Sequence, residues 1–330
     1  LARDGTRLTR TSDWPGSKPT APPSDLVEFV GEYGWDHNIL FIYEDNGTLK
    51  ALIEWTEMDA LSQLGPDEFA FPTNGGLYHG ERLVFERAGD GAISAVVAAG
   101  VRFEKRPSAD DGETFTIDPV REIGDLRSEA LAASPPDEDG DFLEPDLVEL
   151  STVEPDILYD IRYASTNNFM QTVFYRSAHA YLQRETAEAV GRAHRALAEH
   201  GFGLLVYDAY RPWFVTKMFW DATPEEQKVF VANPANGSRH NRGSAVDLTM
   251  VSLETGEPVP MPSGYDEFSE RSYSDYVGGT SLRRWHRELL RSVMEAEGFQ
   301  VYEYEWWHYD RDDWNRYPIM NETFEEIGSS

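Results

Sequence analysis

The chain contains no cysteine among its 330 residues. Disulfides, thiolate-held zinc, iron–sulfur clusters and thiol nucleophiles are therefore excluded, and any metal must be held by His, Asp or Glu. It also lacks a long apolar run. Nothing approaches the roughly 20 consecutive apolar residues of a membrane-spanning helix, so direct membrane insertion is not expected. Basic residues are scarce: 29 Lys and Arg face 59 Asp and Glu, for a net charge of −30. A surface of that sign repels phosphate backbones and anionic headgroups, which removes nucleic acid from the expected partners. Core-forming material is plentiful, with 40% hydrophobic and 13% aromatic residues. A chain of this length and composition is globular and fits about two domains.

Residues 1–24 are polar and end in WPGSKPTAPPS, with Pro15, Pro19, Pro22 and Pro23 close together. That composition predicts an extended spacer. Residues 25–106 read as β structure. Asn38–Tyr43 and Leu49–Trp55 are β-branched and aromatic runs around Asn46-Gly47, the strongest short-range hairpin signal. Leu83–Glu86 and Ile93–Ala98 flank a second glycine turn. Short strands joined by tight turns predict a small all-β antiparallel sheet or barrel domain. Residues 107–145, rich in Asp, Glu, Ser and Pro with PPDEDGD at 135–141, read as an acidic linker.

The pattern then changes. Thr186–His200 carries Ala189, Val190, Ala193 and Leu197 at helical spacing, and Gly201 stops it. Helices are also expected over Glu225–Ala232 and Leu282–Glu297. Apolar runs at Gly203–Tyr207, Ala245–Met250 and around Val301–Tyr304 predict strands. Residues 146–330 therefore form an α+β domain, an antiparallel sheet flanked by helices.

Of eight histidines, His179, His194, His200 and His286 have no acidic partner at ligand spacing. His240 differs. It lies in NGSRHNRGSAVDLT with Asp247 seven residues on, inside an apolar run where a carboxylate is costly unless paired. The pair could supply two zinc ligands, or Asp247 could simply bond backbone. In EYEWWHYD, Glu305 and His308 are three apart beside two tryptophans. His308 would complete a His/Asp/His set that leaves zinc an open position, with Glu305 as a base outside the ligand set. On a regular strand residues i and i+3 face opposite ways, so this grouping needs a bulge. The competing reading is an aromatic edge strand with an incidental histidine. In VYDAYRPW, Arg211 follows an apolar strand, where a guanidinium can stabilise an oxyanion or else pair with Asp208.

YDAYRP, SRHNRGSAVDLT and EWWHY, in that order, closely resemble the D-alanyl-D-alanine dipeptidases, the zinc enzymes of the vancomycin-resistance type. DIRYASTNNF at 160–169 and TGEPVPMPSGYDEFSERS at 255–272 extend the resemblance over about residues 147–320. It implies one Zn2+ per chain held by His240, Asp247 and His308, with Glu305 as catalytic base and Arg211 stabilising the oxyanion. By the same resemblance, Ser238 and Asp266 hold the free ammonium of a dipeptide substrate. The stretch from Arg211 to His240 is short beside the resistance-type members and is expected to shape the wall or cap of the pocket.

GEYGWDHNILFIYEDNGTLKALIEW resembles the lipocalin-like β domains appended to some bacterial serine hydrolases and peptidases. It carries no catalytic residues and is expected to bind an envelope component or to pack on the catalytic domain. The function expected is zinc-dependent hydrolysis of D-Ala-D-Ala or a similar small dipeptide. The alternatives are a D,D- or L,D-carboxypeptidase trimming peptidoglycan stems, and a non-catalytic envelope-binding protein. The proline-rich start and non-Met first residue point to the periplasm or cell envelope, with the cytoplasm as alternative.

Overall fold

A computed structural model of the chain describes residues 15–54, 57–107 and 114–328. The first 14 residues of the expected spacer lie outside the described residues. The chain divides into two compact units: Leu1–Asp110 with Tyr276–Glu288, and Asp111–Asp275 with Leu289–Ser330.

Among the described residues the first unit is a meander of nine strands: β1 (Gly31–Trp35), β2 (Asn38–Asp45), β3 (Thr48–Ile53), β4 (Glu57–Ala60), β5 (Ser62–Gly65), β6 (Glu68–Ala70), β7 (Arg82–Arg87), β8 (Ile93–Ala98) and β9 (Val101–Glu104). Strands pair antiparallel with their sequence neighbours in two sheets, β1 to β4 and β5 to β9. Leu61 alone separates β4 from β5, and a bridge between Tyr33 and Lys105 joins the start of the meander to its end. Asn46 and Gly47 both have positive φ, 49° and 82°, as the tight turn between β2 and β3 requires. Alternate residues, among them Tyr33, Leu40, Ile42, Phe69, Phe85 and Phe103, fill the interior.

Strand β2 departs from simple alternation because Phe41 and Tyr43 are buried as well, and Glu44, in step with Leu40 and Ile42, is a buried carboxylate. Their cover is the segment Tyr276–Glu288. Phe41 packs edge-on against Tyr276, and the Arg284 guanidinium lies over the Tyr43 ring. The Glu44 carboxylate accepts from the Ser281 amide and hydroxyl, each at 2.9 Å, and from the Gly47 amide at 2.6 Å. This segment was expected to belong wholly to the domain at 146–330. A fully buried carboxylate that needs those donors holds it in the β unit instead.

In the second unit the remaining strands are β10 (Leu147–Glu149), β11 (Leu158–Tyr159), β12 (Tyr181–Gln183), β13 (Phe202–Asp208), β14 (Ala245–Ser252), β15 (Phe299–Tyr302) and β16 (Glu305–Arg311). A five-stranded sheet runs β11-β13-β14-β16-β15, antiparallel except for the β11–β13 pair. The helix Arg184–Ala198 buries Ala187, Val190, Ala193 and Leu197. It approaches β13 closely enough that a Cβ at Gly203 would lie 3.2 Å from the His194 ring.

The stretch expected to be an acidic linker is largely folded. It contains the helix Ile123–Ala132, which buries Leu126 and Ala130, and Ile117 donates its amide to the Phe169 carbonyl. Glu138 accepts from Arg242 and from the Ile319 amide. Over Glu225–Ala232 the structure has a 3-10 helix, Glu225–Phe230, rather than an α-helix, confined between Pro224 and Asn233-Pro234. The single aromatic strand expected near the C-terminus is a hairpin of two, β15 and β16.

Candidate active site

Strand register sets the site. Asp247 on β14 stands opposite Asp208 on β13 and opposite His308 on β16, so three neighbouring strands present these residues at one level. The β13 ladder is bulged between Val206 and Asp208. On β16 the register jumps from Tyr309, opposite Val301, to Glu305, opposite Tyr302, which leaves three residues bulged. That bulge brings Glu305 and His308 together: the Glu305 carboxylate lies 3.8 Å from His308 Nδ1.

His240 arrives from the 3-10 turn His240–Arg242, closed by Gly243 at φ 65° just before β14. Asn241 anchors that turn. Its side chain donates to the Arg211 carbonyl and Thr216 Oγ1 and accepts from the Ser238 amide.

Three ligand-type atoms converge. His240 Nε2 and His308 Nδ1 are 3.0 Å apart, and Asp247 Oδ1 lies 3.0 Å from His308 Nδ1 and 3.3 Å from His240 Nε2. Each imidazole has an acceptor on its far side: the Ala209 carbonyl lies 2.6 Å from His240 Nδ1, and Asp310 Oδ1 lies 2.8 Å from His308 Nε2. Those acceptors take the outer N–H of each ring, so each imidazole, when neutral, turns the lone pair of its inner nitrogen toward Asp247. Lone pairs and a carboxylate this close repel unless a cation lies among them. Ligand atoms around a tetrahedral zinc ion sit about 3.3–3.5 Å apart, which this cluster matches to within a few tenths of an ångström. The donor set and spacing therefore fit a divalent metal.

The electrostatics agree. Burial alone would raise the Asp247 carboxyl, but the two imidazoles hold it below the ordinary range. Burial would lower the His308 imidazole, yet Asp310 and Asp247 keep it well above its usual value. Burial pushes the Glu305 carboxyl up to about 7.

Arg211 pairs with Asp208, one of the two sequence readings, and also faces the cavity. It donates to Asp208 Oδ2 through Nε at 2.8 Å, its Nη2 lies 3.6 Å from Asp247 Oδ2, and it lines the cavity. Tyr163 and Phe219 rings flank its guanidinium at 5.1 and 4.8 Å. Asp266, at φ 57°, is buried and accepts from the Tyr163 hydroxyl at 2.9 Å. Burial raises its carboxyl well above the usual range. Ser238 Oγ accepts from the His240 amide.

Arg211, Ser238, His240, Asp247, Asp266, Glu305 and His308 all line one cavity of about 110 Å³. Val229–Ala232 forms part of its wall, as expected for the stretch between Arg211 and His240. The ring of Phe230 stacks on Phe268 at 5.0 Å. Tyr163, Tyr265 and Asp310 had no role in the sequence reading, and Asp208 entered it only as a possible partner of Arg211. Tyr163 bonds Asp266, Tyr265 donates to Asp247 Oδ2 at 2.9 Å, Asp208 holds Arg211, and Asp310 holds His308. Tyr163, Tyr265 and Asp208 lie inside segments quoted for the resemblance and Asp310 directly follows one, and that proximity was the available signal. His194 packs behind β13, where its Nδ1 accepts from the Leu204 amide, and His179 pairs with Glu149.

Comparison with known proteins places residues 144–329 in the D-ala-D-ala dipeptidase family, Peptidase M15. A D-alanyl-D-alanine dipeptidase of Escherichia coli K12 is 32% identical over 54% of this chain and 91% of its own length. One from Enterococcus faecium is 35% identical, over 51% of this chain and 91% of the relative. One from Enterococcus faecalis is 34% identical over 46% and 85%. With its bulged strand, its converging His/Asp/His group and this extent of similarity, the chain belongs to the D-Ala-D-Ala dipeptidase family and is a metallopeptidase.

Proposed function

We propose that the protein hydrolyses D-alanyl-D-alanine, or a similar small dipeptide with a free amine, using one zinc ion held by His240, Asp247 and His308. The observation that carries this reading is the convergence of that trio with Glu305, Arg211, Ser238 and Asp266 in a single cavity. Family membership supports the same substrate class.

Zinc, when bound, supplies Lewis acidity that polarises a carbonyl and makes attack by water feasible near neutral pH. The residues of the chain do the rest. Glu305 takes the proton of the attacking water and returns it to the departing amine. Arg211, locked in place by Asp208, offers its guanidinium to the oxyanion that develops at the scissile carbonyl. Asp266, oriented by the Tyr163 hydroxyl, and Ser238 receive the substrate ammonium and so select a free N-terminus. The apolar rings of Phe169, Phe219, Phe230 and Phe268 in the lining limit water around the reacting groups.

The test is hydrolysis by zinc-loaded protein of D-Ala-D-Ala beside L-Ala-L-Ala, N-acetyl-D-Ala-D-Ala and a peptidoglycan pentapeptide. Cleavage confined to the free D,D-dipeptide supports the proposal. Cleavage of the acetylated dipeptide or the pentapeptide instead makes the protein a carboxypeptidase. Metal analysis of the purified chain checks the zinc assignment independently.

A further inference from the structure

A dipeptide carries a charge at each end, and the cavity needs a partner for both. Its lining holds the Asp247 carboxylate and the acid side chains of Asp266 and Glu305 on a chain of net charge −30. An incoming carboxylate is therefore repelled unless a cation receives it. Two guanidiniums line the cavity, Arg211 and Arg239. Arg211 is already committed, with both Nε and Nη2 2.8 Å from Asp208 Oδ2.

Arg239 is not. Among the described residues its side chain makes no hydrogen bond, and its buried Nε lacks a partner. Its guanidinium is nonetheless held in place, 4.8 Å over the Trp314 ring, with Nε 3.6 Å from Asp310 Oδ2. That distance is too long for a hydrogen bond but close enough for attraction. The side chain keeps 43% exposure, so its remaining N–H groups can face a ligand.

Its position completes the case. A linked series of polar groups crosses the site from Arg239 to Asp310 (3.6 Å), His308 (2.8 Å), Asp247 (3.0 Å), Tyr265 (2.9 Å), Tyr163 (3.3 Å) and Asp266 (2.9 Å). The unsatisfied cation and the amine-selecting carboxylate stand at its two ends, with the ligand trio between them. We propose, resting on the dipeptidase reading, that Arg239 receives the C-terminal carboxylate of the substrate, so that the site reads both ends of a dipeptide. A planar guanidinium suits this task because it can bond both carboxylate oxygens at once.

The experiment compares D-Ala-D-Ala with its C-terminal amide on zinc-loaded full-length protein, as wild type, Arg239→Gln and Arg239→Lys. The wild type is expected to favour the free acid by about ten- to hundredfold in kcat/KM, the worth of hydrogen bonds to a charged group. Arg239→Gln should bring that ratio near one, chiefly through KM for the acid, and Arg239→Lys should restore part of it. An acid-to-amide ratio unchanged in Arg239→Gln, with zinc content and thermal midpoint intact, overturns the proposal.

Calorimetric binding of acid and amide to Glu305→Gln protein, with and without Arg239→Gln, separates this proposal from the dipeptidase reading. If the wild type cleaves neither compound but Arg239 governs tighter binding of the acid, the assignment of Arg239 stands and D-Ala-D-Ala hydrolysis falls. If the acid binds no better than the amide, the assignment of Arg239 is wrong whatever the turnover.

Discussion

Glu305 and Asp310 lie either side of His308 on one strand, and changing them should cause different failures. Glu305 faces the cavity, whereas Asp310 grips the outer nitrogen of the imidazole. Glu305→Gln is expected to lower kcat by about 10²–10⁴-fold, the usual worth of a general base, while zinc stays bound. Turnover and metal content measured on the same sample check this; joint loss of both would put Glu305 among the ligands. Asp310→Ala should instead weaken zinc about 10- to 100-fold in a chelator competition, because the imidazole loses the acceptor that fixes its tautomer. At this scale the sequence was informative wherever the partners are near neighbours, as with His240 and Asp247 or Glu305 and His308. Tyr163 was silent, and Asp208 showed only its local pairing with Arg211, for the opposite reason. Tyr163 meets Asp266 across 103 residues, and Asp208 meets Tyr175 across 33. No local pattern encodes such pairs.

At the scale of elements, the helix Arg184–Ala198 follows from periodicity because it buries a regular face, and strands β13 and β14 follow from short apolar runs because both of their faces are buried. The stretch 114–145 misled because Asp, Glu and Pro dominate its composition, while the few apolar residues that dock it are widely spaced. The turn that carries His240 depends on Gly243, where positive φ is joined by a Cβ position only 2.5 Å from the Leu147 side chain. Gly243→Ala should cost about 1–2 kcal/mol of stability from the left-handed backbone alone, read as a lower denaturant midpoint. Zinc affinity should fall with it.

The contact between helix and sheet also titrates. Burial lowers the His194 pKa from 6.5, and its unprotonated Nδ1 accepts the Leu204 amide proton. Because the unfolded chain binds that proton more readily, stability should decline as pH falls below 6.5 and level off beneath the lowered folded value. Urea midpoints measured across that range should lose this part of their slope in His194→Gln.

For the whole molecule, the division into units was only partly legible. Hairpin signals predict the β meander well, but nothing local reveals that Tyr276–Glu288 belongs with it. The sign was one buried acid in β2, whose partners lie 237 residues downstream. Glu44→Ala strands the Ser281 and Gly47 donors and should destabilise the protein by about 1–3 kcal/mol in equilibrium unfolding. Glu44→Gln, which can still accept, should cost less.

The same arrangement has a consequence in time. Residues 1–110 leave the ribosome long before the segment that covers β2. At about 5–20 residues per second, the 237 residues from Glu44 to Ser281 take about 12–47 s to synthesise. Through that interval Phe41, Tyr43 and a carboxylate destined for burial wait without their cover. The nascent β unit is thus a substrate for chaperones until Ser281 emerges, and slower translation of the intervening stretch should prolong its exposure.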